Sequence, residues 1–167
     1  MPAVFLAAAL PFVVSPVLLL FRRPDRRAGL LSAATCAGAF ACFVSVALGA
    51  SPATVALPWI GPLGLSFSLH ADALALFFAL LITGMGFLVA AFATSYLDSN
   101  ENFPRFFSFL MLFTGSMLGV VLSSNLMALF VFWEMTSFSS FLLIGFWHHR
   151  ERSRYGALKA LVVTGGG

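Results

Sequence analysis

The sequence predicts an all-α, polytopic transmembrane helical bundle, with five complete spans, a truncated sixth and the N-terminus outside. Three observations predict it. The chain of 167 residues is 60% hydrophobic and only 9% charged, with a mean hydropathy of +1.00. Its apolar residues fall in runs close to the roughly 20 residues that a helix needs to cross a bilayer. Its nine basic residues sit in short clusters between those runs, as loop charges do in membrane proteins. The net charge of +3 therefore gives no reason to expect a nucleic-acid partner.

The first run, Ala3–Phe21, contains Pro11 and Pro16. Arginines follow it and none precedes it, the reverse of a secretory leader, so it reads as a retained helix kinked by its prolines. A turn at 22–27 leads into the second run, Ala28–Ala50. Its small residues (Ser32, Ala33, Ala34, Ala37, Gly38, Ala39 and Ala41) suit close helix contact. Cys36 and Cys42 lie in this run with no acid or histidine near them, which fits buried filler better than a disulfide or a metal site.

The segment 51–70 is broken by Pro52, Pro58, Gly61, Pro62 and Gly64, and LGLSFSL alternates polar with apolar. A hairpin on the outer surface is expected, with Trp59 at headgroup level. Asp72 then opens the third run, Ala73–Tyr96. The fourth, Phe106–Leu122, has Gly115 and Gly119 at the spacing that lets helix backbones approach. The fifth is Leu126–Trp147, and a sixth starts near Tyr155. With an external N-terminus, all nine basic residues fall on the inner side, which sets the orientation. The last run is too short to cross about 30 Å of hydrocarbon, so the chain is expected to be the front part of a longer protein.

Glu134 is the one acid inside the fifth run. It lies roughly 12 Å from the start of that run at 1.5 Å per residue. An acid at that depth costs a few kcal/mol even on lenient scales, so it needs a partner, a proton or a water-filled cavity. Helical spacing puts Met127, Phe130, Ser137, Phe138 and Phe141 on its face, with Ser137 the only nearby hydroxyl. Thr136, Ser139 and Ser140 should point elsewhere. Apolar surroundings favour a protonated carboxyl and a nearby cation favours the carboxylate. Alternation between the two is how such a group carries a proton. The competing reading is a structural acid bonded to a neighbouring helix.

Lys159 is a possible proton relay or a snorkelling lysine near the inner surface. His148 and His149 are either proton-entry groups or cations favoured at a helix C-terminus. Asp72 reads as a helix cap rather than an ion site. There is no Gly-rich phosphate loop, no metal-ligand cluster and no nucleophile–base pair. Enzyme chemistry, a cofactor and a bound metal are therefore not expected.

The run from Asp72 through Thr164 resembles the front of the proton-translocating, antiporter-like membrane subunits. That superfamily includes the large subunits of NADH–quinone oxidoreductase and of multisubunit Na⁺/H⁺ antiporters. DALALFFALLITGMGFLV resembles its N-terminal motif, and NLMALFVFWEMTSFSSFLLIGFW resembles the start of its translocation module. The tail GFWHHRERSRYGALKALVVT is closer to the large subunit of the Mrp-type Na⁺/H⁺ antiporters.

The resemblance divides the chain into two lead helices at 1–50, the outer hairpin at 51–70, an antiporter-like N-terminal segment at 71–123 and the start of the translocation module at 124–167. It implies that Glu134 is the carboxylate of the first half-channel, served by a lysine on a later broken helix, with Lys159 as a second lysine. It also implies a hetero-oligomeric complex with other antiporter subunits in the bacterial inner membrane, exchanging H⁺ for Na⁺. A proton-pumping subunit of complex I or of a membrane-bound hydrogenase is the alternative, and a non-transporting scaffold is a third.

Overall fold

The structure, a computed structural model, describes residues 2–21, 26–49, 53–60, 65–96, 103–147 and 151–165. Its elements in order are α1 (Pro2–Leu19), α2 (Arg26–Leu48), β1 (Ala53–Ile60), β2 (Leu65–Ala71), α3 (Ala73–Tyr96), α4 (Phe103–Leu122), α5 (Leu126–Ile144) and α6 (Glu151–Gly165). Helices α2 to α5 are each long and apolar enough to cross a membrane. The apolar part of α1, Val4–Leu19, is shorter. At 18 residues the whole of α1 reaches about 27 Å, slightly less than the hydrocarbon thickness. The described residues therefore hold four helices of spanning length where the sequence predicts five.

α3 has the bounds read from the sequence, and three other helices differ at one end. α4 begins earlier because Pro104 fits the first turn, where a missing N–H costs nothing. α5 stops earlier, at Gly145, whose N–H bonds back to the Phe141 carbonyl at 2.9 Å. α6 starts at Glu151, an acid suited to a helix N-terminus. α1 runs unbroken through Pro11 and Pro16.

β1 and β2 pair antiparallel, with Thr54 opposite His70 and Leu57 opposite Phe67, and the register shifts between Pro58 and Ile60. The shift falls at a proline, which has no N–H to give to the ladder. The Thr54 hydroxyl and His70 Nδ1 lie 2.6 Å apart across the strands. The hairpin is fastened to the α4–α5 turn: the Ser124 amide donates to the Ser68 carbonyl at 3.0 Å, and their hydroxyls bond at 2.9 Å. The side chain of Trp59, and with it the expectation of a headgroup anchor, lies outside the described residues.

α4 is the interior helix: 56% of its apolar window is buried inside the bundle, against 17% for α5. α1 and α5 both pack on α4, α2 packs on α3 and α1, and α6 packs on α5. One core cluster near the hairpin gathers Val4, Phe43, Ala79, Leu118 and Leu122. A second, toward the other end, gathers Leu18, Cys36, Phe107 and Met111. Between α1 and α4, the Ser15 hydroxyl donates to the Ser108 carbonyl at 2.9 Å, a polar tie of the kind that joins helices in lipid.

Two packing expectations change. Gly115 and Gly119 do not bring two helix backbones together. They seat aromatic rings: Phe12 of α1 lies 3.0 Å from where a Cβ on Gly115 would stand, and Phe132 of α5 occupies the place of a Cβ on Gly119. The two rings then meet with centroids 6.0 Å apart. In α2 only part of the small-residue set is covered. Ser32, Ala33 and Ala39 are buried, while Ala34, Ala37, Gly38 and Ala41 are exposed, because one helix face carries the contact.

Gly119→Val should cost about 1–3 kcal/mol, since it forces the Phe132 ring out of its seat. Gly38→Ala, whose added carbon would meet nothing within 4 Å, should hold or slightly raise the thermal midpoint of the detergent-solubilised protein, since alanine favours a helix interior over glycine. Equal midpoints for the two variants would refute this packing.

Candidate functional site

α5 carries the site, and its start is fixed locally. Asn125 caps it, with Oδ1 accepting from the Met127 amide at 2.8 Å, so one of the orphan amides of the first turn is satisfied. Ala128, Phe132, Met135 and Ser139 share one face by helical spacing. Phe132 seats that face against Gly119, and Ala128 and Ser139 are buried. Glu134 is two residues beyond Phe132, a turn of about 200° at 3.6 residues per turn. It therefore projects away from α4.

Glu134 is half-buried, and among the described residues no hydrogen bond or ion pair engages it. Its neighbours on the same face, Met127, Phe130 and Phe138, are 47%, 58% and 53% exposed. The face is mainly aromatic, as the spacing predicts; the described residues leave Met127, Phe130 and Phe138 largely uncovered, while Phe141 is half-buried. Ser137 differs from expectation. It is buried, and its hydroxyl donates to the Trp133 carbonyl of its own helix at 3.3 Å, so it offers Glu134 no proton. A hydroxyl inside a helix finds its nearest acceptor one turn back. The bundle does this repeatedly, at Ser32, Thr83, Thr94, Thr114 and Ser139.

Lys159 is exposed and makes no ion pair with Glu134. Because α6 begins at Glu151, Lys159 stands about 12 Å along the helix at 1.5 Å per residue, deeper than a helix starting near Tyr155 would put it. His148 and His149 lie outside the described residues. Asp72 caps α3: its Oδ1 accepts from the Ala75 amide at 2.7 Å, and its carbonyl accepts from the Leu76 amide at 2.9 Å.

Thr136, Ser137, Ser140 and Thr164 border a groove of about 340 Å³ between α5 and α6. Helical spacing turns Thr136 and Ser140 away from the acid without saying what they face. The recurrence of hydroxyls at 136, 137 and 140 is the available signal, but Thr164 joins them only through the packing of α6. At the end of the bundle opposite the hairpin, aromatic rings cluster. Phe92 stacks on Tyr96 at 5.2 Å, and Phe146 meets Phe106 and Trp147 edge-on.

Residues 57–107 match the family described as NADH-Ubiquinone oxidoreductase (complex I), chain 5 N-terminus. Residues 123–167 match the family described as NADH:quinone oxidoreductase/Mrp antiporter, TM. The chain is 46% identical over 125 residues to the A1 subunit of a Na⁺/H⁺ antiporter of Staphylococcus haemolyticus, covering 75% of this chain and 16% of that protein. It is 44% identical over 164 residues to the A/B subunit of a probable K⁺/H⁺ antiporter of Rhizobium meliloti, covering 94% of this chain and 16% of that one. It thus spans about one-sixth of the length of these relatives. A chain of the Mrp complex from Dietzia sp. superposes over 96% of this chain and 17% of its own length, with a TM-score of 0.83 and 29% identity. A chain of an archaeal membrane-bound sulfane sulfur reductase shares the fold, with a TM-score of 0.74 at 21% identity over 97% of this chain and 24% of its own length.

Capping and ion binding at Asp72 separate cleanly. Asp72→Asn should keep the stability of the protein, since asparagine caps as well as aspartate, while Asp72→Ala should lose about 1 kcal/mol. A thermal melt in which both variants fall equally would show that the charge of Asp72, rather than its cap, is what matters.

Proposed function

The chain belongs to the NADH:quinone oxidoreductase/Mrp antiporter family and is a multi-pass membrane protein; on that premise we propose that it forms the N-terminal part of a cation/proton antiporter subunit in which Glu134 carries the proton. One observation supports this above the others. Glu134 stands partway along an apolar helix of spanning length, half-buried, with no hydrogen bond or ion pair among the described residues to hold it in one state. A carboxyl group committed to structure would be bonded on its face.

In this reading Glu134 is neutral while it faces hydrocarbon and ionised while a cation lies beside it. That cation comes from a further helix of the complete protein, laid on the Glu134 face, with Lys159 as a second, weaker station. Protons moving inward by this route drive sodium outward. α1 crosses the membrane together with α2 to α5, and the N-terminus lies outside. Arg26, Arg27, Arg105, Arg152 and Arg154 all stand at the start of even-numbered helices, at the end opposite the hairpin. That end is then the inner one. The other subunits of the complex complete the ion path.

The names carried by the relatives at 44% and 46% identity support antiport over redox-coupled pumping. The likeness to the sulfur reductase, at 21% identity, is one of fold and adds nothing to the pumping alternative.

Glu134→Gln in the complete complex should abolish sodium-dependent proton exchange in inverted vesicles while leaving assembly intact. Lys159→Ala should slow exchange by a smaller factor. Near-normal exchange in Glu134→Gln would remove the residue from the mechanism and leave the chain a scaffold. Equal losses in the two variants would make Lys159 an equal partner.

A further inference from the structure

α5 is the least covered of the four helices of spanning length, with 17% of its apolar window buried inside the bundle. Its buried residues, Ala128, Ser137 and Ser139, are all small. A helix is keyed in rotation by side chains that enter gaps in its neighbour, and small side chains do this poorly. At mid-length α5 has a better key. The Phe132 ring lies where a Cβ on Gly119 would stand, so it rests against the backbone of α4. Phe12 of α1 meets that ring with centroids 6.0 Å apart and closes the seat from the side. Next to the ring is an apolar hollow of about 300 Å³, bordered by Phe12, Leu122 and Met135. A ring pushed off its seat can enter that hollow, so an alanine at 119 would unkey α5 without unfolding the bundle.

Glu134 stands about 200° round the helix from Phe132. A turn of α5 by about 20° carries a side chain at a helix radius of about 6 Å through about 2 Å. Proton transfer needs heavy atoms within about 2.6–3.2 Å of each other. A displacement of about 1 Å in a reacting group can cost about a hundredfold in rate. The seat at Gly119 therefore acts on the acid as a lever, from the opposite face of the helix.

We propose that Gly119 is a positioning residue for Glu134: the bare backbone there lets Phe132 key α5 to α4, and the key aims the carboxyl at the group with which it exchanges its proton. The effect on transport rests on the reading of Glu134 given above, whereas the rotation that Gly119 sets does not. Gly29 of α2 supplies the contrast. A Cβ there would run into Thr94 and Phe107, so this glycine also seats a helix tightly. The atoms nearest to it belong to α3 and α4 rather than α5, and filling it leaves the key of α5 in place.

The test uses the complete complex in lipid. Gly119→Ala should slow sodium-dependent proton exchange, per assembled complex, by about tenfold or more and move the midpoint of its pH profile. Gly29→Ala should lose stability yet keep the rate and the midpoint. Phe132→Leu added to Gly119→Ala makes room for the methyl group and should recover both. Rotation is read separately, with Cys36 and Cys42 replaced by alanine and nitroxide labels placed at Gly38→Cys and Phe138→Cys. The distance between the labels should change by about 2 Å in Gly119→Ala and return in the double variant. An unchanged distance would overturn the proposal, whatever Glu134 does. Equal losses of exchange in Gly119→Ala and Gly29→Ala would overturn it too, as would a changed distance with native exchange in a complex that Glu134→Gln silences. A changed distance together with normal exchange in Glu134→Gln would uphold the rotational key and reject the proton-carrier reading.

Discussion

A carboxyl group partway along an apolar helix of spanning length, with no fixed partner among the described residues, is the constraint around which the rest of this bundle makes sense. A charge there costs a few kcal/mol on insertion scales and more on others. No hydrogen bond or ion pair from the described residues engages Glu134. In the proposed role it would answer changes in its surroundings by changing protonation state, the behaviour that proton transport asks for. Its three sides are distinct: α4 behind it, a hydroxyl-lined groove to one flank and an open aromatic face in front.

Packing decides which way the acid looks. α4 is the interior helix, and the absence of a side chain at Gly119 lets the Phe132 ring sink against its backbone. Phe12 of α1 enters beside it over Gly115, so α1, α4 and α5 are interlocked through two glycines and two rings. The rotation of α5 about its axis follows from that contact, and with it the outward direction of Glu134. Stability and the orientation of the acid are therefore linked at one spot, on the face of α5 turned away from the carboxyl. The Ser124–Ser68 bonds hold the α4–α5 turn under the hairpin and fix the depth of α5 as Phe132 fixes its rotation.

Much of this is legible in the sequence because hydrophobic length is a one-dimensional signal. Ala73–Tyr96 emerges with the bounds that its composition suggests, the cap at Asp72 follows from an acid before an apolar run, and the aromatic neighbours of Glu134 follow from helical period. Contact between helices is not one-dimensional, and there the sequence says less. The glycine spacing in α4 signals a close approach but not that aromatic rings fill it. Ser137 lies one turn from Glu134 as the period requires, yet its proton goes to Trp133, since a local carbonyl outcompetes a side chain farther away. The small residues of α2 are half exposed, because composition does not say which face is covered. The α5–α6 groove brings Ser140 and Thr164, 24 positions apart, to one wall, and no local pattern announces it.

The central claim is that Glu134 changes protonation state inside the membrane, and infrared difference spectroscopy of the complete complex in lipid observes that change at the carboxyl itself. Stepping the pH with sodium present should produce a band from a protonated carboxyl C=O stretch that appears and disappears with the step. That band should be missing from the Glu134→Gln complex. Superimposable spectra from the native and variant complexes would mean that the carboxyl never exchanges its proton, and the account would fail.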